Sequence, residues 1–474
     1  MGSVGLSFGS ATSGQGFDVT TTVNEIVANL QAVETPWTTQ LTSLQSKDTA
    51  LSSLGTQIST LSTDLQNLTD FTGTMTDKTG SSSDTSVLTG SITSSSTAVP
   101  GTYTVTVQNL AQTSSAASDA VGASDVLTGG VTFKVGNGEW QTVNVGDSST
   151  AATLSGLSTA INDADVGVTA RVLTNADGSQ KLSLISQTDG SAGQIAFSSS
   201  MTLADSTTPD QNAGLGLTTI QNGTDASITV DGATVTSASN TVTNAIPGLT
   251  LQLLSTGSSS STSSPESVQV VIANDTSRIA SAISTFVSDY NTTMKAINAQ
   301  EGKDSSGNPE PLYGSSILAQ LQEGLQSAVS SVFGSNTINS LISLGITASA
   351  SDDGTISLDT DTLSNALNSN FDQVVQLFQG TGSFGSTFTN TLNSLGNSST
   401  DGGAISLALS EDSSQESTLN DDISNQNALI ATQKASLTTE LNAANQVLQS
   451  IPEQIQEINE MYSAVTGYSS TQNG

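Results

Sequence analysis

Apolar positions in this 474-residue chain follow one period at its two ends and another in its middle. Near the start, Val19, Val23, Ile26, Val27, Leu30 and Val33 recur at helical spacing. Asp18 and Thr20 to Thr22 supply the chemistry of a helix start. Pro36 interrupts, because its ring removes a backbone donor and restricts the residue before it. A second helix is predicted over about 38–70. In it Leu51, Leu54, Ile58, Leu61, Leu65 and Leu68 alternate at spacings of three and four, a heptad seam that wants a partner helix. Taken alone, so short a seam would equally seat a single helix on a globular core.

The far end tips that balance. With Ile423, Ile430, Leu437, Ala444, Ile451, Ile458 and Val465 at the d positions, Asn427, Lys434, Leu441, Leu448, Ile455 and Tyr462 fall at a. Polar Asn427 and Lys434 at a are of the kind that fix register at a cost in stability. Ser450-Ile451-Pro452-Glu453 reads as a capping box with proline early in a new turn, which predicts a kink or restart near 450.

Between these ends the period drops to two. Short alternating runs occur at Tyr103, Val105 and Val107, and at 131–135, 168–172, 182–186, 228–232, 249–253 and 268–272. Gly, Asn, Asp and Ser separate them, as in β units with tight turns. One helix is predicted at about 150–163, on Leu154, Leu157 and Ile161. Ser/Thr tracts at 91–97 and 255–264 read as linkers or loop tips, and the Gly/Ser-rich residues 1–16 as disordered in the isolated chain. After about 275 helices return, first with Ile279, Ile283, Phe286, Val287, Tyr290 and Met294 on one face, then at 315–333 and 362–379. The expected fold is therefore α+β and multidomain. N- and C-terminal helices pair in a coiled-coil stalk, and β-rich domains are inserted in mid-chain.

Composition narrows the chemistry. The chain has 9 Lys+Arg against 42 Asp+Glu, a formal net charge of −33, and only 11% charged residues. So acidic a chain cannot neutralise many phosphates, and it suits neither nucleic acid nor an anionic membrane surface. With no His and no Cys, His- or Cys-based triads, zinc sites and disulfides are excluded. The first residues hold no Lys or Arg and no apolar run of signal-peptide length, so no common secretion signal is expected. No apolar stretch is long enough to span a membrane. Carboxylates remain as the only abundant catalytic groups. The densest patch, Ser351-Asp352-Asp353-Gly354 with Asp359 and Asp361, has no recognised ligand spacing and reads as a turn followed by a helix cap. No cofactor and no metal is expected. Tyr103 reads as packing, and Arg278 as a local ion pair or an interface residue. Residues 304–433 carry acidic groups and no Lys or Arg, either a solvated surface or a source of repulsion between subunits.

Four ordered stretches resemble the bacterial flagellar filament cap, or hook-associated protein 2, family. Gly14-Gln15-Gly16-Phe17-Asp18-Val19, running on through Val23, Leu30, Glu34, Pro36 and Leu41, is similar to the family's start. Ala98 to Val105 with Leu110-Ala111-Gln112 is similar to its PGTYxVxVxxLAQ strand, and Asp225 to Leu253 to its DG…NT…GxTLxL unit. Asp353-Gly354 through Leu358-Asp359, Leu363, Leu367, Phe371, Val374, Leu377 and Phe378 resembles a fourth segment. Residues 130–197 resemble a repeat inserted in flagellins and their hook relatives. The C-terminal segment departs from the family's basic or mixed-charge coiled coil, being poor in charge and containing Pro452.

The resemblance implies a non-enzymatic cap at the filament tip. The protein would be exported through the flagellar channel, form a ring of about five copies, and help flagellin fold and insert. Implied partners are further copies of the chain, flagellin, hook–filament junction proteins and an export chaperone, with host glycans as an added ligand class. Four parts are expected: terminal leg segments at 1–40 and 441–474, a helical stalk at 41–78 and 275–440, a β-rich domain at 79–120 and 218–274, and an inserted β-rich domain at 121–217. The expected seam is Leu51, Leu54, Ile58, Leu61, Leu65 and Leu68 against Leu437, Leu441, Leu448 or the 315–333 helix. The seam is expected to run on through Ile451, Ile455, Ile458 and Tyr462, and the most terminal stripe, Val23, Ile26, Val27, Leu30 and Val33 with Ile455 to Val465, is expected to be the leg that meets filament or a neighbouring subunit. A surface adhesin, a flagellin or junction protein, and a carboxylate enzyme are the competing readings.

Overall fold

The computed structural model describes residues 16–146, 151–198, 204–205, 216–257, 265–351, 353–396, 398 and 402–466. The chain divides into two compact units, one formed by 1–70 with 280–474 and the other by 71–279. The first unit is mainly helical, with one short hairpin, and the second mainly antiparallel strands, with one helix, so the expected α+β organisation with helical ends and a β-rich middle is observed.

The helices are α1 (Val19–Gln31), α2 (Thr35–Thr69), α3 (Leu154–Asp163), α4 (Thr276–Gln300), α5 (Ser316–Ser330), α6 (Thr360–Ser369), α7 (Phe371–Gln379), α8 (Phe384–Leu395) and α9 (Ala404–Thr466). Asp18 starts α1 by accepting the Thr21 N–H at 3.1 Å, which satisfies one of the four donors a helix start leaves unpaired. Pro36 lies in the first turn of α2, where its missing N–H costs nothing. It therefore separates two helices rather than kinking one.

In the helical unit α2 packs against α7, α8 and α9, and α5 packs against α8. Phe384 and Phe388 of α8 sit at the centre. Phe286 of α4 meets them edge-on with ring centroids at 6.0 and 5.5 Å, and Phe378 of α7 meets Phe384 at 5.7 Å, the geometry that aromatic quadrupoles favour. The helix expected at 362–379 is two helices, α6 and α7. Asn370 breaks it with φ −135°, letting Leu363 and Leu367 and then Val374, Leu377 and Phe378 reach the core along different axes. α9 runs unbroken through Pro452, so no restart occurs near 450. Ser450 bonds its hydroxyl back to the Val447 carbonyl at 2.9 Å instead of capping a new helix.

Among the described residues the β unit holds two hydrophobic cores. Around the first lie a five-stranded sheet, ordered Lys78–Ser82, Ser267–Asn274, Gly101–Asn109, Ala226–Val230 and Ala233–Ser237, and a three-stranded sheet of Thr241–Ile246, Leu249–Leu253 and Leu88–Ile92. Val105, Val107, Ile228, Val268 and Val270 from one sheet meet Val242, Leu249 and Leu251 from the other. Asp231 and Gly232, with φ +48° and +86°, make the two-residue hairpin between Val230 and Ala233, a turn that needs positive φ at both places. The second core joins α3 (Leu154, Leu157, Ile161) to strands carrying Phe133, Val168, Leu182, Leu184 and Ile195. Every strand pair in the described residues is antiparallel.

Candidate assembly interface

All but one of the residues expected to form seam or leg lie on three helices of the helical unit. The α2 face is closed: Leu51, Leu54, Ile58, Leu61, Leu65 and Leu68 are all buried, the last three completely. Their partners are on α7, α8 and α9. Ile58 lies beside Gly396, just after α8, where an added Cβ would stand 3.1 Å from its methyl group.

Leu437 and Leu441 are not part of that seam. They pack, half-buried, on a cluster of Val19, Val23, Val27 and Ile430, with Phe17 and Leu30 alongside. The Phe17 N–H donates to the Asn445 side-chain oxygen at 2.9 Å and fixes this register. So the α1 stripe meets the middle of α9 rather than its end. The reason is geometric. α1 and α2 run against α9, and α2 already occupies the N-terminal part of α9, where Asp48 faces Asp412 and Glu416. α1 takes the next stretch. Ile26 is half-buried on its flank, while Val33, in the turn before α2, is exposed. Phe17, Ile430 and Asn445 complete the site but were not among the expected contacts. Ile430 stood at a d position, whereas Phe17 and Asn445 carried no periodic signal.

Beyond this cluster α9 keeps its heptad seam without a partner among the described residues. Leu448 and Ile451 are half-buried, and then exposure climbs through Ile455 and Ile458 (60%) to Tyr462 (61%) and Val465 (85%). Spacings of three and four between them place all six on one stripe. Asn427 and Lys434 are exposed, and Asn427 bonds its own helix at Ile423 O, 3.0 Å away, so neither sets an inter-helix register within this chain.

The charged contacts among these helices are acidic ones. Burial, with Asp412 and Glu416 close by, raises the Asp48 carboxyl above its usual range. Asp64 on α2 is pushed up to about 6, first by burial and then by its hydrogen bond with Asp289 on α4. Close like charges repel, so this helix contact weakens itself wherever Asp64 is ionised.

Other candidate chemistry resolves into structure. Asp353 accepts from both the hydroxyl and the N–H of Thr355, which hold its carboxyl down to about 2; Asp352 lies outside the described residues. Asp359 caps α6 through the N–H groups of Asp361 and Thr362. Tyr103 donates to Val99 O at 3.0 Å, and Arg278 pairs with Asp77 at 3.3 Å. Among the described residues no group of three or more carboxylates could hold a metal ion, and no helix is long and apolar enough to cross a membrane.

Comparison with known proteins decides the family. A family model for the flagellar hook-associated protein 2 C-terminus matches residues 223–463, and one for its N-terminus matches 15–114. The chain belongs to the flagellar hook-associated protein 2 family. It is 27% identical over 316 residues to the B-type flagellar hook-associated protein 2 of Pseudomonas aeruginosa, an alignment covering 62% of this chain and 64% of that one. It is 28% identical over 330 residues to the Escherichia coli O157:H7 flagellar hook-associated protein 2, covering 65% and 69%. In fold it resembles the D1-D2-D3 domains of the Escherichia coli flagellar cap protein FliD, with a TM-score of 0.52 and 23% identity over 77% of this chain and 99% of that one. The hook-associated protein 2 match takes in α1, α2 and nearly all of α9. The residues between its two parts, 115–222, carry the α3-centred core.

Proposed function

We propose that this protein caps the distal end of the flagellar filament as a ring of identical subunits and promotes the folding and insertion of flagellin there. The observation that carries the reading, beyond family membership, is the open seam from Leu448 to Val465 on α9. An apolar stripe at heptad spacing is costly in water and is relieved by a partner helix. The closed part of the terminal helices holds the subunit together. The open part is the leg that meets filament or neighbouring subunit, with Ile451, Ile455, Ile458, Tyr462 and exposed Val33 as contacts. Leu51 to Leu68 on α2 and Val23, Ile26, Val27, Leu30, Leu437 and Leu441 on α1 and α9 support it from inside.

The protein acts outside the cell, after export through the flagellar apparatus. A chain without Cys suits passage as an unfolded thread. A ring of about five copies, contact with flagellin and the hook–filament junction proteins, and a chaperone before export complete the proposal. The four-part division, with legs at the chain ends and two β-rich domains, also belongs to it and is supported by the two separate cores of the β unit. The test is complementation of cap-null cells with the triple variant Ile455→Asp, Ile458→Asp, Tyr462→Asp. A folded but non-motile result, with closed rings of the parent protein seen by electron microscopy, is expected. Restored filament growth by the triple variant would sink the leg assignment.

A further inference from the structure

Tyr290 of α4 is completely buried, yet its hydroxyl meets no hydrogen-bond partner in the described protein. Burial alone holds this phenol well above its usual range. Buried polar groups are nearly always paired, so one that is not points to something it would pair with. The ring lines a cleft of about 300 Å³, at the small end of ligand sites. Val329, Ile346 and Ile356 supply apolar wall, and Gln326 an amide.

One side of the cleft is the hairpin of Ile346–Ala348 and Ile356–Leu358. Ser349 N–H donates to Thr355 O at 2.8 Å, and Asp359 N–H to Gly345 O at 2.9 Å. By the alternation of an antiparallel ladder, residues 346 and 348 then direct their backbone groups outward. The outer edge of the second strand is closed by Asn291, which accepts from Ile356 N–H and donates to Ile356 O, both at 2.8 Å. On the first strand Ile346 N–H donates to Leu341 O at 3.0 Å. Ala348 is exposed, and no third strand pairs with this edge among the described residues. No Lys or Arg lines the cleft, while Asp353 and Glu323 stand near it, so an anionic ligand is disfavoured. No carboxylate lines it to hold a cation.

We propose that this cleft is a docking site for an extended, uncharged peptide segment. The segment adds at the free end of this edge, pairing with the outward backbone groups of Ala348 beyond the Ile346–Leu341 bond, and places one aliphatic side chain between Val329, Ile346 and Ile356. Binding parts the wall over Tyr290, whose hydroxyl is closed off in the free protein, and the hydroxyl then donates a hydrogen bond to an oxygen of the segment. Backbone pairing gives affinity and the cleft gives specificity, as in other strand-addition sites. The proposal does not depend on the capping role, and either can fail alone.

The test uses the full chain and a capped, fluorophore-labelled heptapeptide of alternating threonine and valine, read by fluorescence anisotropy. Saturable binding is expected. A peptide with aspartate at its centre, and one N-methylated on alternate amides, should each bind at least about tenfold more weakly. Ala348→Pro removes the outward N–H and leaves the hairpin's own bonds in place, so it should weaken binding about fivefold. Tyr290→Phe should weaken it similarly while leaving Tm unchanged or raised, because the free protein loses only an unpartnered hydroxyl. Absence of binding, equal binding of the N-methylated peptide, or a Tyr290→Phe protein with lower Tm and full affinity would each overturn the proposal. If Tyr290→Phe does not fold, Ala348→Pro decides.

Discussion

Two stretches of the helical unit carry the same heptad pattern and meet opposite fates. On α2 the apolar stripe from Leu51 to Leu68 is shut inside the subunit; on α9 the stripe from Leu448 to Val465 emerges into solvent. Spacing therefore says that a helix wants a partner but not where the partner is. What separates the two is supply. The α2 stripe finds α7, α8 and α9, whereas the α1 stripe is used up at Leu441 and nothing further among the described residues covers the end of α9. A closed stripe serves stability and an open one serves association.

The strongest way to break this contrast is to place one charge in each stripe. Ile58→Asp buries a carboxylate among α2, α8 and α9 without a partner and should cost more than about 4 kcal/mol, enough to unfold the helical unit. Ile458→Asp should leave the melting curve in place and abolish assembly. Circular dichroism melts with sedimentation distinguish them, and a shared loss of folding would erase the distinction. An intermediate effect is expected where closed gives way to open. Val23→Ala should cost about 1–3 kcal/mol, because it hollows a small cluster whose other walls are Val19, Val27 and Ile430. A chain that melts normally with this change would show that α1 is not anchored there.

A smaller effect follows from pH. Because Asp64 is pushed up to about 6 in the fold, the folded state holds its proton more tightly than the unfolded chain. Stability should therefore rise as pH falls from 7.5 to about 5, the reverse of an ordinary ion-paired carboxylate. Below about 4 the trend should turn, since Asp353 and Asp359 titrate below their normal values and their stabilising bonds are lost on protonation. Asp64→Asn should flatten the rise; a rise that persists would assign it to another group. Smallest of all is salt. With a net charge of −33 on each subunit, raising ionic strength should favour assembly, because repulsion is screened over roughly 10 Å at 0.1 M. Dissociation on adding salt would mean that charge attraction holds the subunits.

Much of this was readable in the residues. The α2 stripe and the start of α1 at Asp18 each rest on local chemistry that tertiary packing did not override. What stayed hidden was decided by distant contacts. Lys78–Ser82 reads Lys-Thr-Gly-Ser-Ser, with no alternation, and is a strand only because Ser267–Asn274 pairs along it. α8 is rich in Ser, Thr and Gly, and Phe384, Phe388 and Leu392 form a face only once α2 and α5 are there. The pairing of α1 with mid-α9 was missed for a similar reason: heptads give the face of a helix, while register along α9 is set by which segment reaches it first. Pro452 illustrates the opposite error, a strong local signal that a long continuous helix absorbs.

The hydrogen bond from Phe17 to Asn445 joins residues 428 positions apart. The helical unit is thus assembled from the first and last parts of the chain, and the β unit has to be threaded between them. Asp275 N–H donates to Asp77 O at 2.9 Å, so the folded β unit returns the chain to its own point of departure. That shortens the loop to be closed to about half and lowers its entropic cost by about 0.6 kcal/mol, little in stability but a preference in sequence of events. The β unit can form as soon as it is free, whereas the terminal helices wait for the last residues. A chain that leaves a channel N-terminus first would carry its apolar helix faces unpaired until the end, and would gain its assembly-competent form in the final moment of release.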